Sequence, residues 1–123
     1  MAAVTLVLFR EADGAAPLLD WLDKLPAKVR DKCRVWLGRL RDEGHELRRP
    51  VADYLRNGIY ELRVGFRGMN YRMLYFFSGH DVVVVSHGLK KERDVPAKEI
   101  DLAVRRMNAF RQDPTTHTYR EEV

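Results

Sequence analysis

The chain of 123 residues contains a single cysteine, Cys33, so it cannot form an internal disulfide or a cysteine-based zinc site. It also lacks an apolar run long enough to span a membrane. The apolar segment Val4–Phe9 is followed at once by Arg10, Glu11 and Asp13, which is not the pattern of a secretory signal. We therefore expect a cytoplasmic protein that works in a reducing compartment and does not contact a membrane.

Several common signatures of catalysis are missing as well. The sequence has no glycine-rich phosphate loop and no serine-centred nucleophile elbow. Its four histidines show no metal-ligand spacing: His45, His80, His87 and His117. Cys33 falls on the apolar stripe of a predicted helix, which indicates a packed side chain rather than a nucleophile. We expect no metal and no cofactor.

The composition is that of an ordinary folded protein with a moderate basic excess. Hydrophobic residues make up 46% and charged residues 33%, which excludes a disordered chain and fits a single domain. Lysine and arginine number 22 against 18 aspartates and glutamates, for a net charge of +4. This excess favours a polyanionic partner without identifying one.

The first half of the chain predicts one strand and two helices. Val4–Phe9 is β-branched and aliphatic, as in a buried strand. Pro17 suits the first turn of a short helix, Pro26 begins a longer one, and Gly44 ends it. Because the link between the helices is so short, we expect an antiparallel helical hairpin.

The second half predicts three strands and a last helix. Ile59–Phe66 alternates apolar and polar residues, and Tyr71–Phe77 and Val82–His87 follow after tight turns. These three strands form an antiparallel meander, and a helix runs from about Pro96 to Arg111. The prediction is an α+β fold of N-terminal strand, helical hairpin, three-stranded meander and C-terminal helix, with the helices on one face of an antiparallel sheet. One domain covers residues 1–112, and residues 113–123 form a loose tail.

Basic groups on the predicted strands are the most informative functional feature. Arg63 and Arg72 lie in the middle of neighbouring strands, and His87, Lys90 and Lys91 emerge at the end of the third. Guanidinium groups on a rigid sheet can bind phosphate oxygens in a bidentate manner. These five side chains therefore predict one pocket for a phosphodiester.

Each of these residues also has an ordinary structural explanation. Arg63 could pair with Glu61 or with a carboxylate on a helix, and Arg72 could extend to an edge of the sheet. Tyr75 suits stacking on an unpaired base only if its face of the sheet is open. The pair Arg48-Arg49 either adds to an RNA surface or simply precedes Pro50, and the sequence does not decide between these two possibilities.

Four stretches of the sequence resemble the RelE/ParE superfamily of bacterial and phage toxins, most closely its HigB-like, phage-derived branch. They are Gly58–Arg63, Tyr71-Arg72 with Tyr75-Phe76, His87–Lys91, and the last-helix residues Pro96, Glu99-Ile100, Ala103 and Arg105-Arg106. The order of elements agrees from about Val4 to Arg111. Two positions depart from the usual pattern, which has phenylalanine in place of Leu89 and threonine in place of Val95.

The resemblance implies the toxin of a type II toxin–antitoxin system that cleaves mRNA in the ribosomal A site without a metal. A cognate antitoxin, commonly a helix-turn-helix protein, would silence it, with the toxin either monomeric or in an antitoxin-bridged assembly. Arg63 and Arg72 would clamp the phosphate, Lys90 or Lys91 would supply charge or a base, and His87 would be the acid or base. The RNA-binding surface would add four further residues: Tyr75, Arg67, Arg48 and Arg49.

Two other functions remain open at this point. A ParE-like inhibitor of DNA gyrase would share the fold and cleave nothing, although such a binder has no need of the acid–base group that the cluster of His87, Lys90 and Lys91 could provide. An inactive RNA- or protein-binding module, such as a decayed toxin, would show no growth inhibition that depends on Arg63 or Lys90.

Overall fold

The computed structural model describes residues 3–91 and 93–119. Its strands are β1 (Thr5–Phe9), β2 (Ala52–Arg56), β3 (Ile59–Phe66), β4 (Met69–Ser78), β5 (Val82–Lys90) and β6 (Thr118–Tyr119). Its helices are α1 (Pro17–Asp23), α2 (Ala27–Glu43) and α3 (Ala97–Gln112), and a short 3₁₀ turn, Gly44–Glu46, follows α2. Among the described residues, no helix is both long and apolar enough to cross a membrane.

All six strands form one sheet in the order β2-β3-β4-β5-β1-β6. Strands β3, β4 and β5 pair antiparallel in sequence order, so the α+β class is confirmed, but these strands are part of a six-stranded sheet rather than a separate three-stranded meander. Strand β1, however, runs parallel to β5, and the sheet is therefore mixed rather than antiparallel. The central strand β4 is hydrogen-bonded on both sides and is largely buried from Tyr71 to Phe76.

Two strands were not predicted from the sequence. Strand β2 pairs with β3 and forms one edge of the sheet. Strand β6 pairs with the end of β1 and forms the other edge. The segment after Asp113, predicted to be loose, is ordered as far as Tyr119, because the His117 ring stacks on Phe9 at 5.0 Å and its Nδ1 lies 2.8 Å from the Arg10 carbonyl. Residues 120–123 of that tail lie outside the described part, and the domain boundary at residue 112 stays a prediction.

Helices cover both faces of the sheet, which corrects the prediction that all of them lie on one face. Helices α1 and α2 pack on sheet residues that include Leu62, Met73 and Val85. Helix α3 packs on the opposite face, against residues that include Leu74 and Val84. Alternate residues of the central strands are apolar on both sides, so each face must be buried by a helix. We refer to the two sides as the α2 face and the α3 face.

The helix limits follow the predicted proline and glycine positions. Pro17 is the first residue of α1, Pro26 immediately precedes α2, and Gly44 ends α2 with φ +52°. A second glycine, Gly88 in β5, allows α1 to approach the sheet, because a Cβ at this position would overlap the Trp21 ring. These contacts hold the helical pair against the α2 face.

Candidate functional site

The two predicted phosphate-binding arginines share one buried carboxylate. Arg63 and Arg72 are cross-strand partners on β3 and β4, and Glu61 lies two residues from Arg63 on the same α3 face. Glu61 accepts a hydrogen bond from Arg72 Nη1 at 2.5 Å and one from Arg63 Nη2 at 3.1 Å. Like charges directly opposite each other destabilise a strand pair. Glu61, only 2% exposed, compensates for this repulsion.

Strand β2 extends this arrangement to the edge of the sheet. Asp53 is the cross-strand partner of Glu61, and its Oδ2 accepts a hydrogen bond from Arg63 Nη2 at 3.2 Å. Its other oxygen accepts a hydrogen bond from Arg49 Nε at 3.0 Å. The result is an arginine–carboxylate chain of alternating charges: Arg49, Asp53, Arg63, Glu61 and Arg72. Three cations and two anions leave this chain with a formal charge of +1.

Within this arginine–carboxylate chain, Arg63 combines a fixed position with access to solvent. Its side chain is 36% exposed, whereas that of Arg72 is only 7% exposed. Both ion pairs of Arg63 use Nη2, and its Nε is buried without a hydrogen-bond partner in the described part of the chain. Nη1 has no hydrogen bond to any described residue, so it can contact an anion while Nη2 holds the group in place.

His87 is not placed as an acid or base that could reach a substrate. The side chain is 9% exposed, with Nδ1 at 2.8 Å from Ser86 Oγ and Nε2 at 3.0 Å from Glu99 Oε1 on α3. Burial lowers the pKa of His87, and the Arg106 guanidinium lowers it further, against the opposing effect of Glu99. A neutral imidazole therefore donates to Glu99 and accepts a hydrogen bond from Ser86.

The Ser86–His87–Glu99 contacts resemble a nucleophilic triad only in composition. Ser86 is completely buried, and its hydroxyl also accepts a hydrogen bond from Arg106 Nη1 at 3.4 Å. Arg106 Nε in turn binds Glu11 at 3.0 Å. Because Ser86 cannot reach a substrate, this network joins α3 to the sheet and is not a catalytic group.

A β-bulge in β5 separates Lys90 from the two arginines. Tyr75 pairs with Val85 but Leu74 pairs with His87, so Ser86 is an extra residue in β5. Beyond Ser86 every side chain is therefore on the face opposite to the one that simple alternation predicts. Lys90 consequently lies over the Tyr71 ring on the α2 face, at 5.7 Å. Contrary to the expectation of one shared pocket, Lys90 therefore lies on the opposite face of the sheet from Arg63 and Arg72.

Lys91 stays near the arginines, because the Arg72 Nε donates to the Lys91 carbonyl at 3.4 Å and the Lys91 side chain is exposed. Arg67, in the β3–β4 turn, is exposed and has its guanidinium 5.2 Å from the Phe66 ring.

Tyr75, predicted as a possible base-stacking residue, belongs to the core. It is 1% exposed, and its ring stacks on Tyr60 at 5.3 Å below α2. Burial is also the main reason that the pKa of Tyr75 is raised. The condition for its RNA contact, an open face of the sheet, is not met.

Arg48 and Arg49 line a surface cleft together with aromatic side chains that the sequence did not reveal. The cleft has a volume of about 550 Å³ and also contains His45, Tyr54 and Tyr60. Tyr54 is 53% exposed and meets the Tyr60 ring edge-on at 5.0 Å. A contribution of this arginine pair to an RNA surface stays a prediction. Since β2 was not recognised, no sequence signal placed Tyr54 beside the pair.

Two further features bear on the predicted chemistry: the single cysteine and the spacing of possible metal ligands. Cys33 is fully buried, and burial raises the pKa of its thiol to about 11, so the prediction of a packed thiol is confirmed. Among the described residues, no three histidine, cysteine, aspartate or glutamate side chains gather in a way that could hold a metal ion.

These features define a small mixed-sheet α+β protein whose sheet holds the partly exposed Arg63 within the arginine–carboxylate chain. A family model described as phage derived protein Gp49-like (DUF891) matches residues 20–108, which is well over half of the chain. The chain therefore belongs to the phage-derived Gp49-like family. The matched segment includes every residue of the predicted site. A search of curated proteins found none that matches this chain.

Proposed function

We propose that this protein is the toxin of a type II toxin–antitoxin pair and that it cleaves mRNA on the ribosome without a metal. Membership in a phage-derived family supports this proposal, and so does the basic character of the chain. The observation that carries it is the Arg63 guanidinium, which is partly exposed and held by Asp53 and Glu61 on the α3 face.

The proposed reaction makes use of this fixed charge. The ribose 2′-oxygen attacks the adjacent phosphorus and loses its proton to a base. The bond to the 5′-oxygen breaks, this oxygen receives a proton from an acid, and a 2′,3′-cyclic phosphate remains. Arg63 Nη1 would bind a non-bridging oxygen as negative charge builds up on the phosphorane, and Lys91 would add charge on the same side. Arg72 and Glu61 would act as positioning residues.

The two ion-paired carboxylates and the buried His87 leave Arg63 without an adjacent free acid or base among its described partners. Positioning of the RNA is an alternative way to accelerate cleavage, since correct alignment of the 2′-oxygen with the phosphorus removes a large part of the activation barrier. This need for external alignment favours mRNA held on a ribosome over free RNA. We propose that a cognate antitoxin of the helix-turn-helix type controls the protein by covering this surface.

Mapping of mRNA 5′ ends in a reconstituted translation system tests the proposal. Wild-type protein is expected to produce new ends in translated message, and Arg63→Ala to reduce the cleavage rate by about 10²- to 10³-fold, as for the loss of one transition-state donor. Arg105→Ala, which removes an exposed arginine of α3, serves as the control and should cleave normally. Intact message at protein doses that stop translation would contradict the proposal.

One observation favours a second candidate, an inhibitor of DNA gyrase. The case against this function rested on a free acid–base cluster of His87, Lys90 and Lys91. In the structure His87 is buried between Ser86 and Glu99, and Lys90 lies on the α2 face. A supercoiling assay with purified gyrase separates the candidates. Inhibition of supercoiling together with intact mRNA would favour gyrase as the target.

A further inference from the structure

A second basic site lies on the α2 face, away from the arginine–carboxylate chain. It is a cavity of about 570 Å³ between the first turn of α2 and the β3–β4 hairpin. Three of its lining side chains are cations: Lys28, Arg67 and Lys90. Its apolar wall includes the rings of Phe66 and Tyr71. A volume of this order is that of a typical small-ligand site.

The charge in this cavity is uncompensated. None of the lining residues is an aspartate or glutamate, and no ion pair involves Lys28, Arg67 or Lys90 within residues 3–91 and 93–119. This contrasts with Arg63 and Arg72, whose carboxylates neutralise most of their charge. A second cluster of positive charge without internal partners indicates an anionic ligand.

Two of the cations are held in place by the aromatic rings of the wall. The Arg67 guanidinium lies 5.2 Å from the Phe66 ring centre, and the Lys90 ammonium lies 5.7 Å from that of Tyr71. Cation–π contact of this kind orients a charge without neutralising it. Lys32 reaches the same region, with its Nζ 5.9 Å from the Phe66 ring and hydrogen-bonded to the Gly65 carbonyl.

Lys28 occupies a position that is unfavourable for the isolated chain. It lies in the first turn of the 17-residue helix α2, which has no acidic residue in that turn and no side-chain cap. The positive end of the helix dipole and the free amide groups lie at this N-terminal turn, where a cation is normally disfavoured. A bound anion would relieve this repulsion. Lys28, Arg67 and Lys90 would all contact that anion.

We propose that this cavity binds one phosphate-bearing nucleotide of a single-stranded RNA, at a position separate from the phosphate that Arg63 contacts. Three cations around one open pocket suit the compact charge of a phosphate, whereas an acidic peptide presents its carboxylates spread along a chain. The apolar rings provide a wall for a base or ribose. RNA recognition as such rests on the proposed function, but the site and its residues do not depend on cleavage.

The test is fluorescence anisotropy of a labelled single-stranded RNA with purified full-length protein at several salt concentrations. The pocket variant is Lys28→Gln with Lys90→Gln. The matched control is Lys98→Gln with Arg105→Gln, which removes the same charge from exposed positions of α3. A further variant, Arg67→Asn, removes the third cation of the cavity and should also weaken RNA binding; asparagine tolerates the positive φ of +51° at this turn.

The pocket variant should bind the RNA on the order of tenfold more weakly, and its log–log salt slope should fall by about 0.7 for each phosphate that is no longer neutralised. The control should keep both values near those of the wild type. The pocket substitutions should lower the slope by the same amount in an Arg63→Ala background, because the two sites bind different phosphates. Equal reductions in the pocket variant and the control would overturn the proposal. So would an oligoglutamate peptide that competes as strongly as RNA of the same charge.

A second measurement on the wild-type protein does not depend on any variant. Bound RNA should protect Lys28 and Lys90 from acetylation, while Lys98 stays reactive. Equal protection of all three lysines would contradict a defined site. If RNA binding follows these expectations but no mRNA is cleaved, the proposed function fails and the nucleotide site stands; the reverse result rejects the site alone.

Discussion

Arg63 and Arg72 face each other across the β3–β4 pair, and the carboxylate of Glu61 binds both of their guanidinium groups. Of these two arginines, only Arg63 has substantial access to solvent. The buried Arg72 and Glu61 therefore determine where the exposed guanidinium stands. Fold stability and the proposed phosphate contact consequently depend on the same three side chains.

Glu61→Ala should strongly destabilise the fold. It leaves the buried Arg72 without its carboxylate, and breaking a buried pair on one side typically costs about 3–5 kcal/mol of unfolding free energy. Urea denaturation measures this loss. Glu46→Ala, at an exposed glutamate, is the control and should change stability by less than about 0.5 kcal/mol. Equal stability of the two variants would mean that the Glu61 pairs contribute nothing.

His87 should make the protein less stable in mild acid. Its pKa in the unfolded chain is near 6.5 and is lowered in the folded state by burial and by Arg106. The unfolded state therefore binds more protons below pH 6.5, and the free energy of unfolding falls as pH decreases through that value. Each unit of pKa difference contributes about 1.4 kcal/mol.

Denaturation of the wild type and of His87→Gln between pH 8 and pH 5 isolates this effect, because the other histidines are common to both proteins. The wild type should lose more stability than the variant over this range. Parallel pH profiles would show that the imidazole is not kept neutral by folding.

Gly88→Ala should destabilise the packing of α1 on β5. Its Cβ would overlap the Trp21 ring, and overpacking of this kind costs about 1–3 kcal/mol. Gly65→Ala, where the nearest atom is 3.8 Å away, should be almost neutral in thermal and urea unfolding. Combining Gly88→Ala with Trp21→Leu should recover part of the loss, and strictly additive effects would argue against a direct clash.

Cys33 should be unreactive in the folded protein. The thiol is fully buried and its pKa is about 11, so almost none of the reactive thiolate is present at pH 8. An aromatic disulfide reagent should release no coloured product at pH 8 until urea unfolds the chain. Rapid labelling under native conditions would indicate that α2 opens readily.

The regular elements with clear apolar periodicity were predictable. Pro17, Pro26 and Gly44 mark helix limits that the structure reproduces, and the alternation in Ile59–Phe66 gives the correct two faces of β3. The run of four valines, Val82–Val85, indicates a strand that is apolar on both sides, which the prediction of helices on one face did not take into account. A strand apolar on both sides requires cover on both faces, and this places α3 opposite α2.

The site was less predictable, because its geometry depends on features without a local pattern. Strand β2 contains Asp53 between Ala52 and Tyr54 with no apolar alternation, so its pairing with β3 could not be inferred. The contact of Asp53 with Arg63 was invisible for the same reason. The bulge at Ser86 has no sequence signature either, and it reverses the faces of His87 and Lys90 relative to simple alternation.

The extra residue at Ser86 makes chain length, as well as composition, a determinant of the surface charge. Deleting one residue from this part of β5 would restore strict alternation and bring Lys90 to the side of Arg63 and Arg72, while Leu89 would turn towards α1 and α2. A shift of a single position could thus transfer an ammonium group across the sheet without any change in the lysine itself. Comparisons of related chains along β5 should accordingly count residues before they compare their identities.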